Sequence, residues 1–167
     1  MSESRDWRKV RAEVKDFVEN EVYPAEAVLN QRSEESNQKL KELMDKAKEK
    51  NLWALGHPVD IGGQGMPFME YVYVNEVVGR SSPAMVALGT HSLQDSIMLR
   101  EFASDRWRDA YLGPLVAGEI FPSFGMTEPD TASSDPTQLQ TAAVLEDGEW
   151  VINGRKWFTS GAARAAY

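Results

Sequence analysis

The sequence contains no cysteine, and that absence removes disulfides, thiolate nucleophiles and thiolate-ligated metals together. Histidine is nearly absent too: His57 and His91 are too few and too isolated in the chain to read as a metal site. No uninterrupted apolar run approaches the roughly 20 residues that span a bilayer. The first residues, MSESRDWRKVRAEVKDF, mix acids and bases without the apolar segment of a secretory signal, so a cytoplasmic protein is expected. Basic residues are outnumbered, 18 Lys and Arg against 26 Asp and Glu, for a net charge of −8 and a pI near 4.8. Binding of nucleic acid through a basic face is therefore not expected. What remains is an ordinary soluble composition, 42% apolar and 26% charged, in 167 residues: one domain, or one domain and part of another.

Apolar spacing predicts helices through the first two thirds of the chain. Trp7, Val10, Val14, Phe17 and Val18 recur every three or four residues, and Pro24 is placed to bend or end that helix. A second helix carries Leu40, Leu43, Met44 and Ala47. Gly56, Pro58, Gly62, Gly63 and Gly65 then break the pattern. The IGGQG run lacks the following Gly-Lys-Ser/Thr of a phosphate loop and comes after a helix, so it reads as a tight connection. Pro67 opens a third helix with Met69, Val72, Tyr73, Val77 and Val78, apolar around much of its circumference and expected at the centre. Ser82-Pro83 caps a fourth, interrupted near residues 89–92. Ser104-Asp105 caps a fifth, with Trp107, Tyr111, Leu112, Leu115 and Val116 on its buried side and Pro114 near its end. Five such stripes joined by short connections predict an antiparallel bundle.

The character changes at residues 121–135, FPSFGMTEPDTASSD. Hydroxyls, acids and a rigid Pro129 crowd together there, which fits either a solvated interdomain loop or a polar-ligand site. Beyond it, residues 138–145 alternate as a strand, Asp147-Gly148 signals a hairpin, residues 150–152 form a second strand, Asn153-Gly154 signals another turn, and residues 156–159 read as a third strand. Trp150, Trp157 and Phe158 give this meander a high aromatic content. Those rings either fill one face of a sheet or lie against a planar cofactor.

Two of these segments carry a resemblance. FGMTEPDTASSD, with VINGRKWFTSGA downstream, resembles the acyl-CoA dehydrogenase family of flavoproteins, and IGGQGMPFMEYVYVNEVVGR and SDRWRDAYLGPLVAGE are similar to that family's glycine turn and last helix before its β-domain. The resemblance implies an α+β architecture: an all-α domain over residues 1–119, then residues 120–167 as the opening part of a middle β-domain. The family's C-terminal four-helix domain lies outside the sequence, so the chain is expected to be a truncated portion of the whole.

The implied cofactor is FAD. Phe124, Gly125 and Met126 would lie along the flavin, and Thr127 would offer its hydroxyl to the pyrimidine end. Ser134 with Ser133 would approach the pyrophosphate, Ser134 also reaching the pantetheine arm of the substrate. Trp157 would pack on the isoalloxazine with Phe158 beside it, and Thr159 would hydrogen-bond at N5. The implied reaction is α,β-dehydrogenation of an acyl-CoA, with electron-transferring flavoprotein as the oxidant. Assembly as a homotetramer or hetero-oligomer would run through the C-terminal helices. The family's glutamate base has no counterpart here, and Glu128 reads as part of the Thr-Glu-Pro turn. Two departures stand out: residues 130–135 look one residue longer than the usual glycine-rich run, and the strand before Trp157 looks one shorter. His91-Ser92-Leu93 would fall near the acyl pocket in this comparison, a core or loop histidine being the competing reading. A non-catalytic assembly subunit and a flavin oxidase or monooxygenase are the alternatives on the same scaffold.

Overall fold

The computed structural model describes residues 6–31, 33–132 and 134–166. The chain divides into two compact units, Met1–Glu119 and Ile120–Tyr167. It is mostly helical (57%) with a small antiparallel sheet.

In the first unit, α1 (Trp7–Phe17) starts where the Asp6 side chain accepts the Arg8 N–H, and it buries Val10, Val14 and Phe17. Pro24 does not end this helical path. Its missing N–H and its ring are accommodated by a π-helical turn at Val18–Val22, where the Tyr23 N–H reaches back to the Val18 carbonyl, followed by a 3₁₀ turn at Tyr23–Ala25 and α2 (Glu26–Leu29). The apolar stripe survives the widening, since Val18 and Val22 are both fully buried.

Helix α3 (Glu34–Glu49) is capped by Ser33, whose hydroxyl accepts the Ser36 N–H. Acids occupy its first turn, Lys46 and Lys48 its last, and it buries Leu43, Met44 and Ala47. The glycine-rich segment closes on itself: the Gly65 N–H donates to the His57 carbonyl at 2.8 Å and the Met66 N–H to Leu55 at 2.9 Å. Beside it lies Trp53, whose Nε1–H donates to the Val116 carbonyl at 2.8 Å and joins this region to the last helix.

Helix α4 (Phe68–Val78) begins one residue after Pro67 and departs from the expected central helix. Tyr71, Val74, Val77 and Val78 are buried, whereas Phe68, Met69, Val72 and Tyr73 are exposed, so only one face enters the core. Its position is set by α1: Arg11 pairs with Glu76 at 2.6 Å and Trp7 stacks on Tyr73 at 5.0 Å. The cap of α5 (Ser82–Ala87) is Ser81 rather than Ser82, its hydroxyl accepting the Ala84 N–H. A break through Gly89 precedes α6 (Leu93–Phe102). The last helical stretch runs through α7 (Asp105–Trp107), a second π-helical turn at Arg108–Leu112 and α8 (Gly113–Ala117). That turn again precedes a proline, Pro114. Leu115 and Val116 are buried, while Trp107 is exposed and Tyr111 half-buried, so the expected apolar side is only partly enclosed.

In the second unit, β1 (Ala142–Glu146) and β2 (Glu149–Asn153) form an antiparallel hairpin in the register Ala142↔Asn153 to Glu146↔Glu149. Asp147 and Gly148 both take positive φ (49° and 85°), as a two-residue turn of matching twist requires. Two sequence expectations change here. Residues 136–138 form a 3₁₀ turn, so the first strand starts later than 138. Residues 156–159 make no third ladder strand among the described residues; they lie instead beside the residues before Glu128. Among the described residues, no helix is long and apolar enough to cross a membrane.

Candidate functional site

The site is built around a buried carboxylate. Glu128, only 4% exposed, accepts the Gln140 N–H at 2.6 Å, the Thr141 N–H at 2.9 Å and the Lys156 ammonium at 2.8 Å. The ammonium first, then the donors from Thr141 and Gln140, hold its carboxyl down to about 2. Glu128 is thus a clasp, ionised near neutral pH, that joins the Thr-Glu-Pro turn, the start of the hairpin and the segment carrying Trp157.

From this clasp two segments run side by side. The Trp157 N–H donates to the Thr127 carbonyl at 3.0 Å, the Ser123 hydroxyl to the Ser160 carbonyl at 2.9 Å, and the Ala166 N–H to the Phe121 carbonyl at 2.9 Å. Gly125 faces Lys156 and Thr159, where an added Cβ would lie 3.7 to 3.8 Å from their side chains. The two sequence motifs, far apart in the chain, are neighbours in space.

The expected site residues that the structure describes are placed as follows. Phe124, Gly125 and Met126 are exposed, and Thr127 is half-buried. Trp157 and Phe158 are exposed, their rings 4.5 Å apart and tilted by 34°, and Thr159 is half-buried beside Gly125. Phe158 has φ +54°, a left-handed conformation that is strained for an aromatic residue. Ser134 is exposed in the turn closed by the Asp135 N–H on the Ala132 carbonyl, at a remove from the clasp in sequence; Ser133 lies outside the described residues. Exposed rings bordered by neutral hydroxyls suit a planar heteroaromatic group with a polar edge. Among the described residues no group of His, Asp or Glu is arranged to hold a metal.

Lys156 is the residue that sequence reasoning missed. Its ammonium also donates to the Met126 carbonyl at 3.0 Å. The available signal was the cation pair Arg155-Lys156 directly before Trp157, with the acid of the other motif left without an assigned partner.

The whole chain reads against known proteins in the same two parts. It matches the acyl-CoA dehydrogenase N-terminal domain over residues 4–119 and the acyl-CoA dehydrogenase middle domain over residues 123–167. The chain belongs to the acyl-CoA dehydrogenase family. Among its relatives, acyl-CoA dehydrogenase family member 10 of Mus musculus is 34% identical, over 92% of this chain and 16% of its own length. A putative acyl-CoA dehydrogenase from Mycobacterium abscessus superposes with a TM-score of 0.82 at 32% identity, over 96% of this chain and 44% of that one. An acyl-CoA dehydrogenase from Bacillus anthracis, solved in complex with FAD, superposes with a TM-score of 0.72 at 25% identity, over 98% of this chain and 28% of that one. The chain therefore spans less than half the length of these acyl-CoA dehydrogenases.

In the helical unit, His57 is 1% exposed and lies 3.1 Å from the Ser92 hydroxyl, which itself donates to the Gly89 carbonyl. Burial, with the neighbouring His91, lowers the His57 imidazole to about 4. Ser92 is completely buried and His91 half-buried, so this pair belongs to the packing of the helical core.

Proposed function

We propose that the protein is an FAD-dependent acyl-CoA dehydrogenase in which this chain supplies one wall of the flavin site. The observation that carries the reading is the pairing of the two motifs, Trp157 N–H to Thr127 carbonyl at 3.0 Å. It gathers the Thr127 and Thr159 hydroxyls and the Trp157 ring into one small region. FAD, the cofactor expected for this family, would supply a hydride acceptor there for the β-hydrogen of an acyl-CoA thioester.

The chain's own residues then have distinct tasks. Trp157 and Phe158 cover an aromatic face and exclude water from it, with Phe124, Gly125 and Met126 along the same wall. Thr127 and Thr159 donate to polar edges of the ring. Ser134, together with Ser133, meets the pyrophosphate, and Ser134 the pantetheine arm. Glu128 does not abstract the substrate's α-proton: a carboxyl held at about 2 is a weak base near neutral pH, and its oxygens are already engaged. That proton goes to a carboxylate outside this set. In this reading residues 1–119 act as the helical domain and 120–167 as part of the middle domain. Electron-transferring flavoprotein is the oxidant, and the protein works as a homo- or hetero-oligomer.

The test is anaerobic mixing of acyl-CoA thioesters with the protein expressed from its complete gene. Bleaching of a bound flavin by at least one thioester is expected. A yellow protein that no thioester bleaches would overturn the dehydrogenase assignment, and fast reoxidation by oxygen would move it to an oxidase.

A further inference from the structure

We infer that Lys156 is a positioning residue that aims the Thr127 amide N–H outward to the flavin, with Glu128 holding Lys156 in place. The inference rests on the flavin reading above and adds two residues to it.

The argument is one of peptide geometry. The described backbone has no cis peptide bond, so the carbonyl of one residue and the N–H of the next point in opposite directions. Lys156 Nζ captures the Met126 carbonyl at 3.0 Å. The N–H in that same peptide plane, on Thr127, is thereby turned to the opposite side. The next plane is held as well, because the Thr127 carbonyl accepts the Trp157 N–H at 3.0 Å. With both planes held, the direction of the donor between them is determined.

Lysine alone would not hold such a position, since its four-carbon stem is flexible and its ammonium prefers water. Here the ammonium also meets Glu128 at 2.8 Å, and the carboxylate is anchored by the Gln140 and Thr141 N–H groups. The Lys156 side chain is 25% exposed and that of Glu128 4%. The pair is thus shielded and multiply hydrogen-bonded, unlike a loose surface ion pair. Orientation passes from the start of the hairpin to Glu128, to Lys156, to the Met126 carbonyl and so to the Thr127 N–H.

The test compares wild type with Lys156→Met, Lys156→Gln and Lys156→Arg, each expressed from the complete gene and titrated with FAD. Losing a charge-assisted bond to the carbonyl predicts FAD binding weakened about tenfold or more in the Met and Gln proteins. Their bound-flavin absorption bands should shift, reporting a lost donor at the ring edge. Arg keeps a cationic donor, so it should restore affinity to within about threefold and restore the spectrum. In wild type the ¹⁵N-labelled Thr127 amide signal should move on adding FAD. Wild-type affinity and spectrum in the Met and Gln proteins would overturn the inference. If circular dichroism shows those two unfolded, an unmoved Thr127 signal in wild type overturns it and a moved one with Arg rescue upholds it. A wild-type protein that binds no FAD would overturn the flavin reading instead.

Discussion

His57 Nε2 lies 3.1 Å from the Ser92 hydroxyl inside the helical unit, and its Nδ1 is buried with no hydrogen-bond partner among the described residues. Because Ser92 donates to Gly89, the ring is assigned as the tautomer that donates from Nε2. Protonation would create a second N–H with no acceptor and place a charge in the core, next to His91. The folded protein therefore keeps the neutral ring down to about pH 4.

That arrangement predicts an acid-sensitive core. The unfolded chain takes up the proton near 6.5 and the folded one only near 4, so the unfolded state binds more protons between those values. Stability from this residue is complete above that window and falls as the pH drops through it. The loss between pH 7 and pH 5 should be about 2 kcal/mol. Urea midpoints at the two pH values measure it, and in His57→Gln the difference should largely disappear.

The indole of Trp53 predicts a sharp contrast between two glycines. At Gly118 (φ +75°) an added Cβ would sit 2.7 Å from the ring, while at Gly113 it would meet nothing within 4 Å. Gly118→Ala should cost about 2 to 4 kcal/mol through strain and overpacking. Gly113→Ala, in helical backbone at the start of α8, should be neutral or stabilise by up to about 1 kcal/mol. Thermal melts should show a clear fall for Gly118→Ala and none for Gly113→Ala.

Phe158 sets stability against binding. Its φ of +54° suits glycine and the residue is 76% exposed, so little burial offsets the strain. Phe158→Gly should gain up to about 1 kcal/mol in urea unfolding. If the ring covers the flavin as proposed, the same variant should release FAD more readily, read as increased flavin fluorescence on dilution.

Thr159→Val removes one hydroxyl of the proposed flavin wall while conserving shape. Loss of that donor should slow anaerobic flavin reduction by acyl-CoA about tenfold or more. Thr159 is half-buried beside Gly125, so far-UV circular dichroism should be unchanged. A rate equal to wild type would remove Thr159 from the site.

Some features were readable because a single segment encodes them. Val10, Val14 and Phe17 mark the inward face of α1 by spacing alone, and Asp147-Gly148 specifies its turn because both positions need positive φ. The paired motifs around Thr127 and Trp157 carried the family relationship that the domain matches establish. Other features depended on neighbours. Pro24 reads as a bend or an end of the helix, and only the packing decides between them: regular α1 stops at Phe17, and a π-helical turn carries the chain past the proline with Val18 and Val22 still buried in the core. The apolar circumference of α4 gives no sign that Phe68, Met69, Val72 and Tyr73 face outward.

The sequence by itself determined the inward face of α1, the hairpin turn and the family, since spacing and turn residues act within a few positions of chain. Only the tertiary structure decided that residues 156–159 leave the ladder and lie beside the Thr-Glu-Pro turn. Lys156 finds the Met126 carbonyl 30 residues away, and Glu128 finds Lys156 28 away. Contacts of that separation depend on which segments share the space around one buried charge, and no local pattern records that choice.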